Sequence, residues 1–594
     1  MSHQSLIYLI VTLVLFSGVS RAEIKPDFLM DSDPKFDRLS PVKKSMPEHI
    51  RLWIEVLARP EIDYQRMAAE SIAFAHQKGI PDLIEAVPAL ETVLTAESSH
   101  PSARYAAARA LIVLESRSSS EKLFDVSQKH GSELRQLIEP ALAAWDYLPI
   151  RSVWKKRLET RETRPQDLIL ATRGIRRVRE TSALATLQQM TLNFIQTPEI
   201  RLEAASAAGE LAETGLEADA DRLVQETRTS STINRHCALR LLARHTSETT
   251  LKLLAERATD PEPSVAAAAL KRLNQIDSTL VLPFVELALQ NKDVNVRTQA
   301  ALAYIKLPTK DRIRTLAELL DDPVPDLRRQ VCTELSRIAK QPEFEETIQS
   351  AAMEILSRDR WRGQEQSALL LGELGHKPSW KRMTELLESS RPEVMIGSAW
   401  GLRKIADPES IPAIVDKIRR QTEVRKTNQS AEIDLQVAHL FEACARMLAK
   451  EAEPEMLVYV PKNLMNGERS RCCAIWALGW LYAGKPDRSI GRQLIERVND
   501  NSMPPVENLL VKRICIVSLG RMKAVDYAAE FRQKLGKKPS NDTYSLTLQW
   551  ALTQMTGEEF PDVPPELAGI GGWFLDPIPS KVTSANDDPA NLQP

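Results

Sequence analysis

The residue types that could do chemistry in this chain are few and scattered. None of the nine histidines forms a His-Glu-x-x-His or His-x-x-x-His motif, so the helical ligand sets of zinc hydrolases are missing. The six cysteines are too sparse for a disulfide framework, and the adjacent Cys472 and Cys473 have no second pair at zinc spacing. Gly-x-Ser-x-Gly elbows, phosphate-binding Gly-x-x-x-x-Gly-Lys-Ser/Thr loops and Cys-x-x-Cys-His haem motifs do not occur. We therefore predict a non-enzymatic protein with no catalytic residues, no metal ligands and no cofactor.

The overall composition favours helices as the elements that present the polar residues. Glycine accounts for 21 of the 594 residues and aromatic residues for 5%. This glycine content is about half of the usual ~7%, which disfavours turn-rich sandwiches and barrels. Lysine and arginine number 78 against 80 aspartates and glutamates, so the total charge indicates no polyelectrolyte partner.

The N-terminus has the pattern of a secretory signal. Residues 6–19 form an apolar run that is short for a membrane-spanning helix, and Ser20 and Ala22 suit the small-residue positions of a cleavage site. We predict a signal peptide at residues 1–22, an exported protein in the periplasm or outside the cell, and a mature chain beginning at Glu23. Retention of the run as an uncleaved anchor is the alternative. Residues 23–48 are polar and contain prolines, so we expect an extended segment, and no later segment is apolar enough to span a membrane.

The rest of the chain repeats one pattern. The sequences DPEPSVAAAALKRL from Asp260, NKDVNVRTQAALAYIKL from Asn291 and DPVPDLRRQVCTELSRI from Asp322 each combine a polar turn with an alanine-rich apolar stretch. Apolar residues at spacings of three and four predict one buried face of a helix. The Asp or Asn before the run predicts N-capping, and the alanines allow close packing of neighbouring helices. A recurring, often basic position, here termed the Arg slot, occurs at Arg66, Arg104, Arg135, Leu168, Arg201, Arg235, Ala266, Arg297, Arg328, Gln364, Met395, Gln436, Arg471, Lys512 and Ser545.

This pattern resembles the HEAT repeat, in particular the short HEAT-like repeats of phycobilisome lyases. The mean period is about 34 residues, which indicates an all-α solenoid of about 14–15 helical hairpins over residues 49–557. The resemblance implies that the second helix of each hairpin lines the concave wall. It also implies that slot arginines form a structural ladder with an upstream Asp or Asn, as in Asn291 with Arg297 and Asp322 with Arg328. The expected ladder arginines are Arg201, Arg235, Arg297, Arg328 and Arg471.

Enzymes that use this repeat do not fit the sequence well. A di-iron hydroxylase of this type needs several His-Glu dipeptides, and the chain has none. A phycobilin lyase is disfavoured because an exported chain would not meet its substrate. The segment Ala551–Phe560 followed by a tryptophan resembles the end of exported bacterial HEAT-repeat proteins such as those of planctomycetes, with Gly557 as the expected helix C-cap.

Charge and aromatic residues cluster locally. Residues 151–180 carry a net charge of +6, and Arg173, Arg176 and Arg177 share one helical face, which makes them candidate partner-binding residues. The Pro-rich tail at residues 558–594 has a net charge of −6 and contains Trp573 and Phe574, which we expect either to cap the last repeat or to bind a partner. The polar stretch at residues 421–432 predicts a long loop. The tryptophans at helical spacing are interpreted as core residues rather than as a carbohydrate or peptide groove: Trp361, Trp380, Trp400, Trp476 and Trp480.

The sequence thus predicts an exported, non-enzymatic scaffold that binds a protein or peptide on the concave face of its solenoid, with no nucleic-acid partner. Two alternatives stay open. One is an accessory subunit or a lyase-type enzyme on HEAT-like repeats. The other is a binder of polyanions or of the cell wall.

Overall fold

A computed structural model describes residues 23–36, 42–43, 47–225, 231–462, 467–502, 506–536, 542–561 and 567–568. The predicted signal peptide at residues 1–22 and the candidate residues Trp573 and Phe574 lie outside the described residues. The chain divides into two compact units. The first unit contains the described residues between 42 and 276 together with 567–568, and the second contains residues 23–36 and those between 277 and 561.

The first unit is a succession of α-helical hairpins. Its only described strands are β1 (Val42–Lys43) and β2 (Leu567–Ala568), which pair in parallel. Its helices are α1 (Pro47–Leu57), α2 (Ile62–Gln77), α3 (Val87–Thr95), α4 (Pro101–Val113), α5 (Ser120–Lys129), α6 (Ser132–Ala144), α7 (Pro149–Glu159), α8 (Pro165–Arg177), α9 (Leu184–Leu192), α10 (Pro198–Leu211), α11 (Glu217–Gln225), α12 (Thr232–Leu241), α13 (Glu248–Arg257) and α14 (Pro263–Ile276).

The second unit has the same architecture. A 3₁₀ turn at Leu29–Asp31 lies in its N-terminal segment, and a longer one at Ser278–Phe284 precedes the first α-helix. Its helices are α15 (Val285–Leu289), α16 (Val294–Lys306), α17 (Lys310–Ala317), α18 (Pro325–Ile338), α19 (Pro342–Ser357), α20 (Trp361–Glu373), α21 (Trp380–Leu386), α22 (Pro392–Ile405), α23 (Ile411–Arg425), α24 (Ala431–Met447), α25 (Glu453–Val458), α26 (Glu468–Leu481), α27 (Arg488–Asn499), α28 (Leu509–Arg521), α29 (Ala528–Leu535) and α30 (Thr543–Thr556).

The fifteen Arg slots occupy the fifteen even-numbered helices, which are the second helices of the hairpins. Twelve of the slots are the fourth residue of their helix; the exceptions are Arg66, Gln436 and Ser545. The predicted fold class, an all-α solenoid of hairpins, is therefore confirmed. In the described part of the chain, no helix is both long and apolar enough to cross a bilayer.

Small residues set the close spacing of consecutive second helices. A Cβ atom at Gly372 of α20 would lie 2.8 Å from the Cα of Gly401 in α22. Alanine dominates the buried face of several helices, as in α4 and α10, where it fills the space between neighbours without forcing them apart. The last helix of the second unit, α30, ends at Gly557. The φ of 78° at this glycine provides the left-handed C-cap that the sequence indicated.

The slot arginines connect one hairpin to the next. Arg297 binds Asp322 of the following repeat through Nε and Nη2, at 2.7 and 2.9 Å. The same arginine donates to the backbone carbonyl of Asn291, at 2.8 Å, rather than to its side chain. The Asp322 carboxylate also accepts a hydrogen bond from the Val324 N–H. The same side chain therefore both orders the turn before α18 and binds the arginine of the preceding repeat. Within one repeat, the contact predicted between the two side chains is therefore made by the backbone instead.

The other predicted ladder residues behave in related ways. Arg201 donates to Asn234 at 2.8 Å, the Nε of Arg235 lies 3.1 Å from Asp260, and Arg471 holds Glu507 through two hydrogen bonds of 2.9 Å. Arg328 makes the weakest of these contacts, at 3.7 Å from Glu365. Burial raises the pKa of Glu365, and Arg328 opposes this only in part.

One predicted element is wrong. The polar stretch at residues 421–432 is not a long loop, because α23 runs on to Arg425 and α24 begins at Ala431. Arg425 is buried and its Nη1 lies 3.2 Å from Asp434, so a polar sequence supports helix here through an internal ion pair.

Candidate peptide-binding face

Residues 23–36, here termed the strap, lie across the second helices of the second unit. We name the helices that it contacts, α18, α22, α24, α26 and α28, the acceptor face. Glu23 lies 3.1 Å from Arg329 on α18, and Asp33 reaches Arg521 on α28. From α22 to α28 the strap therefore crosses successive repeats in the order in which the chain makes them, and each of these helices contacts between one and three of its side chains.

The first anchor is Asp27. Its carboxylate accepts the indole N–H of Trp400 at 2.8 Å and a hydrogen bond from Nη2 of Arg403. Nη1 of Arg403 also donates to the Asp27 carbonyl, at 2.7 Å, so both main chain and side chain are recognised. Burial raises the pKa of Asp27, but the hydrogen bonds from Trp400 and Arg403 outweigh it, and the pKa lies below its usual value.

Arg403 is itself held by a buried carboxylate. Its side chain is 1% exposed and its Nη1 lies 2.7 Å from the Oε2 atom of Glu442, which is 0% exposed. The other oxygen of Glu442 accepts the backbone N–H of Met30 at 3.0 Å. One buried ion pair between α22 and α24 thus supports two contacts to the strap.

The second anchor is apolar. The Phe28 ring stacks on His439 of α24, with the ring centres 4.3 Å apart and an interplanar angle of 5°, while the Arg469 guanidinium lies 5.2 Å from the Phe28 ring centre. Met30 is only 4% exposed and belongs to the hydrophobic core of the unit. Burial lowers the pKa of His439, and the nearby Glu442 opposes this, so the imidazole that supports Phe28 is favoured in its neutral form.

The third anchor is a pair of aspartates. Asp31 binds Arg469 at 2.6 Å. Asp33 accepts the indole N–H groups of Trp476 and Trp480 at 3.1 and 3.2 Å, and Nη2 of Arg521 at 2.9 Å. The Arg521 guanidinium in turn lies 4.1 Å from the Trp480 ring centre. Burial lowers the pKa of Arg521, with Asp33 acting in the opposite direction.

Together these contacts define what the acceptor face can recognise. It presents carboxylate sites built from arginine and indole N–H groups, and between them a flat imidazole that takes an aromatic ring. Backbone groups of the strap are bound as well, as expected for a site that holds an extended peptide. Among the described residues, no group of three or more His, Cys, Asp or Glu side chains is arranged to hold a metal ion.

The predicted basic candidates lie elsewhere, on α8 of the first unit. Arg173 binds Glu203 of α10 at 2.7 Å, and Arg176 lies 3.8 Å from the same carboxylate and from Glu210. Arg177 is exposed on the same helix. The structure thus brings the three arginines to one helix, but pairs two of them with acidic residues of the next repeat.

Three of the five tryptophans combine both roles considered from the sequence, and the other two, Trp361 and Trp380, are half-buried against the core. Trp400 and Trp476 are buried as core residues, yet their indole N–H groups face the strap, and Trp480 is partly exposed beside Asp33. Sequence reasoning missed the rest of the site: Asp27, Asp31, Asp33, Arg403, His439, Glu442, Arg469 and Arg521. The available signal was three aspartates separated by four and two residues in an otherwise ordinary polar segment.

All six cysteines lie in helices and carry free thiols in buried positions. Burial raises the pKa of the Cys237 thiol to about 11. The cysteines are therefore small side chains of the helical core.

A match to a family model supports the repeat assignment for part of the chain. Residues 220–306 and 253–337 match the family described as HEAT repeats. No curated protein sequence matches the chain. Among solved structures, it is similar to yeast importin-beta (Kap95p), with 14% identity, a TM-score of 0.46, and coverage of 86% of this chain and 73% of that one. A structure of Kap95p with RanGDP is 15% identical, with a TM-score of 0.49 and coverage of 86% of this chain and 72% of that one. A structure of a Kap121p mutant is 12% identical, with a TM-score of 0.49 and coverage of 86% of this chain and 57% of that one.

The thirty α-helices of the described residues, paired into hairpins with a slot in each second helix, define an α-solenoid. The family match lies within this solenoid and identifies the repeats over residues 220–337 as HEAT repeats.

Proposed function

We propose that this HEAT-repeat protein is an exported, non-enzymatic scaffold that binds an extended protein segment across its second helices. The observation that carries the proposal is the strap itself. A segment of about a dozen residues is held along consecutive repeats by its carboxylates, its aromatic ring and its backbone, which is how a peptide ligand would be held.

The chemistry of the face supports binding over catalysis. Arg403 and Arg521 are each paired with a carboxylate of the strap, and the buried Glu442 is neutralised by Arg403. Such groups position a ligand through charge-assisted hydrogen bonds. The anchors are also distributed along the repeats, whereas catalysis requires groups that converge on one reacting atom.

Export belongs to the same proposal. The predicted cleavage after Ala22 would make Glu23 the first residue of the mature protein, so the strap would be its extreme N-terminus. The partner would then be a protein of the periplasm or the cell exterior.

The test is co-purification from envelope extract with an affinity tag at the C-terminus, followed by mass spectrometry. The intact protein is compared with Arg521→Met, which removes one carboxylate site of the acceptor face, and with Arg173→Glu/Arg176→Glu/Arg177→Glu, a matched change on the first unit. We expect a specifically enriched protein whose recovery changes with Arg521→Met and is unaffected by the triple variant.

Two outcomes would count against the proposal. If no protein is enriched with any of the three forms, the scaffold function is wrong. If recovery of the partner changes in the triple variant and not in Arg521→Met, the partner binds the basic face of α8 and not the acceptor face. Sequencing the N-terminus of the purified protein tests export, since a chain that still starts at Met1 would contradict cleavage.

A further inference from the structure

We infer that the strap is a competitor held in cis, and that the partner of the acceptor face is an acidic, extended protein segment with an aromatic residue beside its first carboxylate. This inference rests on the proposed function and specifies the chemistry of its partner. The partner segment would place one carboxylate at Trp400 and Arg403, an aromatic ring on His439, and a second carboxylate at Trp476, Trp480 and Arg521.

The charges of the face argue for carboxylates. Three arginines from three different helices each meet an aspartate of the strap: Arg403 with Asp27, Arg469 with Asp31 and Arg521 with Asp33. Indole N–H groups also donate to Asp27 and Asp33. An indole N–H is a donor only, so it cannot accept a hydrogen bond from a lysine or arginine side chain. A basic segment would therefore leave these donors unpaired and repel the guanidinium groups.

The aromatic site argues for a ring at one particular place. His439 is buried and presents the flat face of its ring to Phe28, and Arg469 covers the same ring from another helix. Stacking on an imidazole together with a nearby guanidinium favours an aromatic residue over an aliphatic one. The ring belongs next to the first carboxylate, because Phe28 follows Asp27 directly.

The strap is suited to being displaced. Its anchoring carboxylates stay partly in water: the side chain of Asp27 is 66% exposed, that of Asp31 45% and that of Asp33 35%. Water at the aspartate ends weakens each of these ion pairs, whereas Met30 and the contact of its N–H with Glu442 are buried. Covalent attachment adds to these contacts, because a short flexible linker gives a tethered segment an effective concentration of about 1 mM. A free ligand with the same contacts must exceed that concentration, or make additional contacts, to replace it.

The experiment uses the full-length protein and a fluorescent peptide with the sequence of residues 23–36, EIKPDFLMDSDPKF. Asp27→Asn/Asp31→Asn/Asp33→Asn loosens the strap of the protein and leaves the acceptor face unchanged. If the peptide binds this variant with a Kd of about 10 μM, occupation in cis at about 1 mM should make its binding to the intact protein about 100-fold weaker. Circular dichroism checks that both proteins have the same helical content.

Two controls identify the chemistry. A peptide carrying asparagine at the three aspartate positions should bind the loosened protein at least 10-fold more weakly, and one with Phe28→Leu should also bind more weakly. Adding Arg521→Met to the loosened protein should reduce binding of the unmodified peptide, and a lysine in place of Asp33 in the peptide should abolish it.

The inference is overturned if the peptide binds the intact and the loosened protein equally, if the asparagine peptide binds as well as the original, or if no peptide binds. Concentration-dependent dimers of the intact protein in light scattering would overturn it in another way, by showing that the strap of a second copy is the occupant. In each of these cases, enrichment of a partner in the co-purification would still support a scaffold function, so the two proposals fail separately.

Discussion

The ion pair between Arg403 and Glu442 provides the sharpest test of how the acceptor face is built. Replacement of Arg403 by methionine leaves the Glu442 carboxylate buried with the Met30 N–H as its remaining hydrogen-bond donor, since His439 lies 3.9 Å away and its neutral form is favoured. Removing one partner of a buried pair typically costs about 3–5 kcal/mol. We therefore expect Arg403→Met to lower the local free energy of opening around α22 and α24 by about that amount.

Hydrogen exchange of amides in these two helices measures the effect, because opening of one part of a repeat protein need not follow a single two-state transition. A loss of about 3–5 kcal/mol raises the opening constant roughly 100- to 4,000-fold. Asp27→Asn removes the other partner of Arg403, but that side chain is largely exposed, so its expected cost is at most about 1 kcal/mol.

The double variant Arg403→Met/Glu442→Met separates charge from packing. Replacing both members of a buried pair by apolar side chains of similar size is often neutral or stabilising, so exchange protection should return close to that of the original protein. The strap should still be held less firmly, because Asp27 has lost Arg403 and keeps only Trp400, and the Met30 N–H has lost Glu442. The reasoning is refuted if Arg403→Met costs no more than Asp27→Asn, or if the double variant is as unstable as the single one.

Three further predictions follow from the packing and the titrating groups. Because the pKa of Asp27 lies below its usual 3.8, the contribution of this carboxylate to strap binding is present above pH 3.8 and is lost as the pH falls through the lowered pKa. Tryptophan emission should show this loss, and Asp27→Asn should remove that part of the acid dependence. Gly372→Ala should lower the free energy of unfolding by about 1–3 kcal/mol in chemical denaturation, because the added Cβ forces α20 and α22 apart. Gly397→Ala is the control: its added Cβ meets the nearest atom at 3.6 Å, so the free energy of unfolding should stay the same or rise by up to about 1 kcal/mol through helix propensity. Equal effects of the two substitutions would contradict the close approach of α20 and α22. Cys237, whose pKa burial raises to about 11, should resist alkylation at pH 8 in the native protein and react after denaturation, and rapid native labelling would show that its helix is open.

The repeats could be predicted from the sequence because the same local pattern recurs in each hairpin. The slot at Arg297 or Arg328 is preceded by a turn and followed by apolar positions at helical spacing, and the structure places both at the fourth residue of a second helix. Where the pattern is weaker, as at Gln436 and Ser545, the slot shifts by one or two residues. The prediction of a loop at residues 421–432 failed for a related reason, because a polar composition does not reveal that Arg425 will be buried in α23 and paired with Asp434 of α24.

The strap and its face could not be read in the same way. Asp27 and Arg403 are separated by 376 residues, and neither is unusual for its own segment. The contact between these two residues depends on how several repeats are stacked, and no local sequence pattern predicts that stacking. The tryptophans illustrate the limit: helical spacing indicates correctly that Trp400 is buried, but it does not reveal that one edge of the indole remains available to a carboxylate.

The crossing of repeats by a short segment fixes how many hairpins can lie between its end points. Asp27 on α22 and Asp33 on α28 are joined by six residues, which can extend over at most about 20–22 Å. Each additional helix layer would add about 8–10 Å to the distance. Duplication or deletion of one hairpin between these helices would therefore put the two carboxylates out of register with their arginines. In a lineage where this chain gains or loses repeats, α22–α28 should be the stretch whose repeat number stays constant.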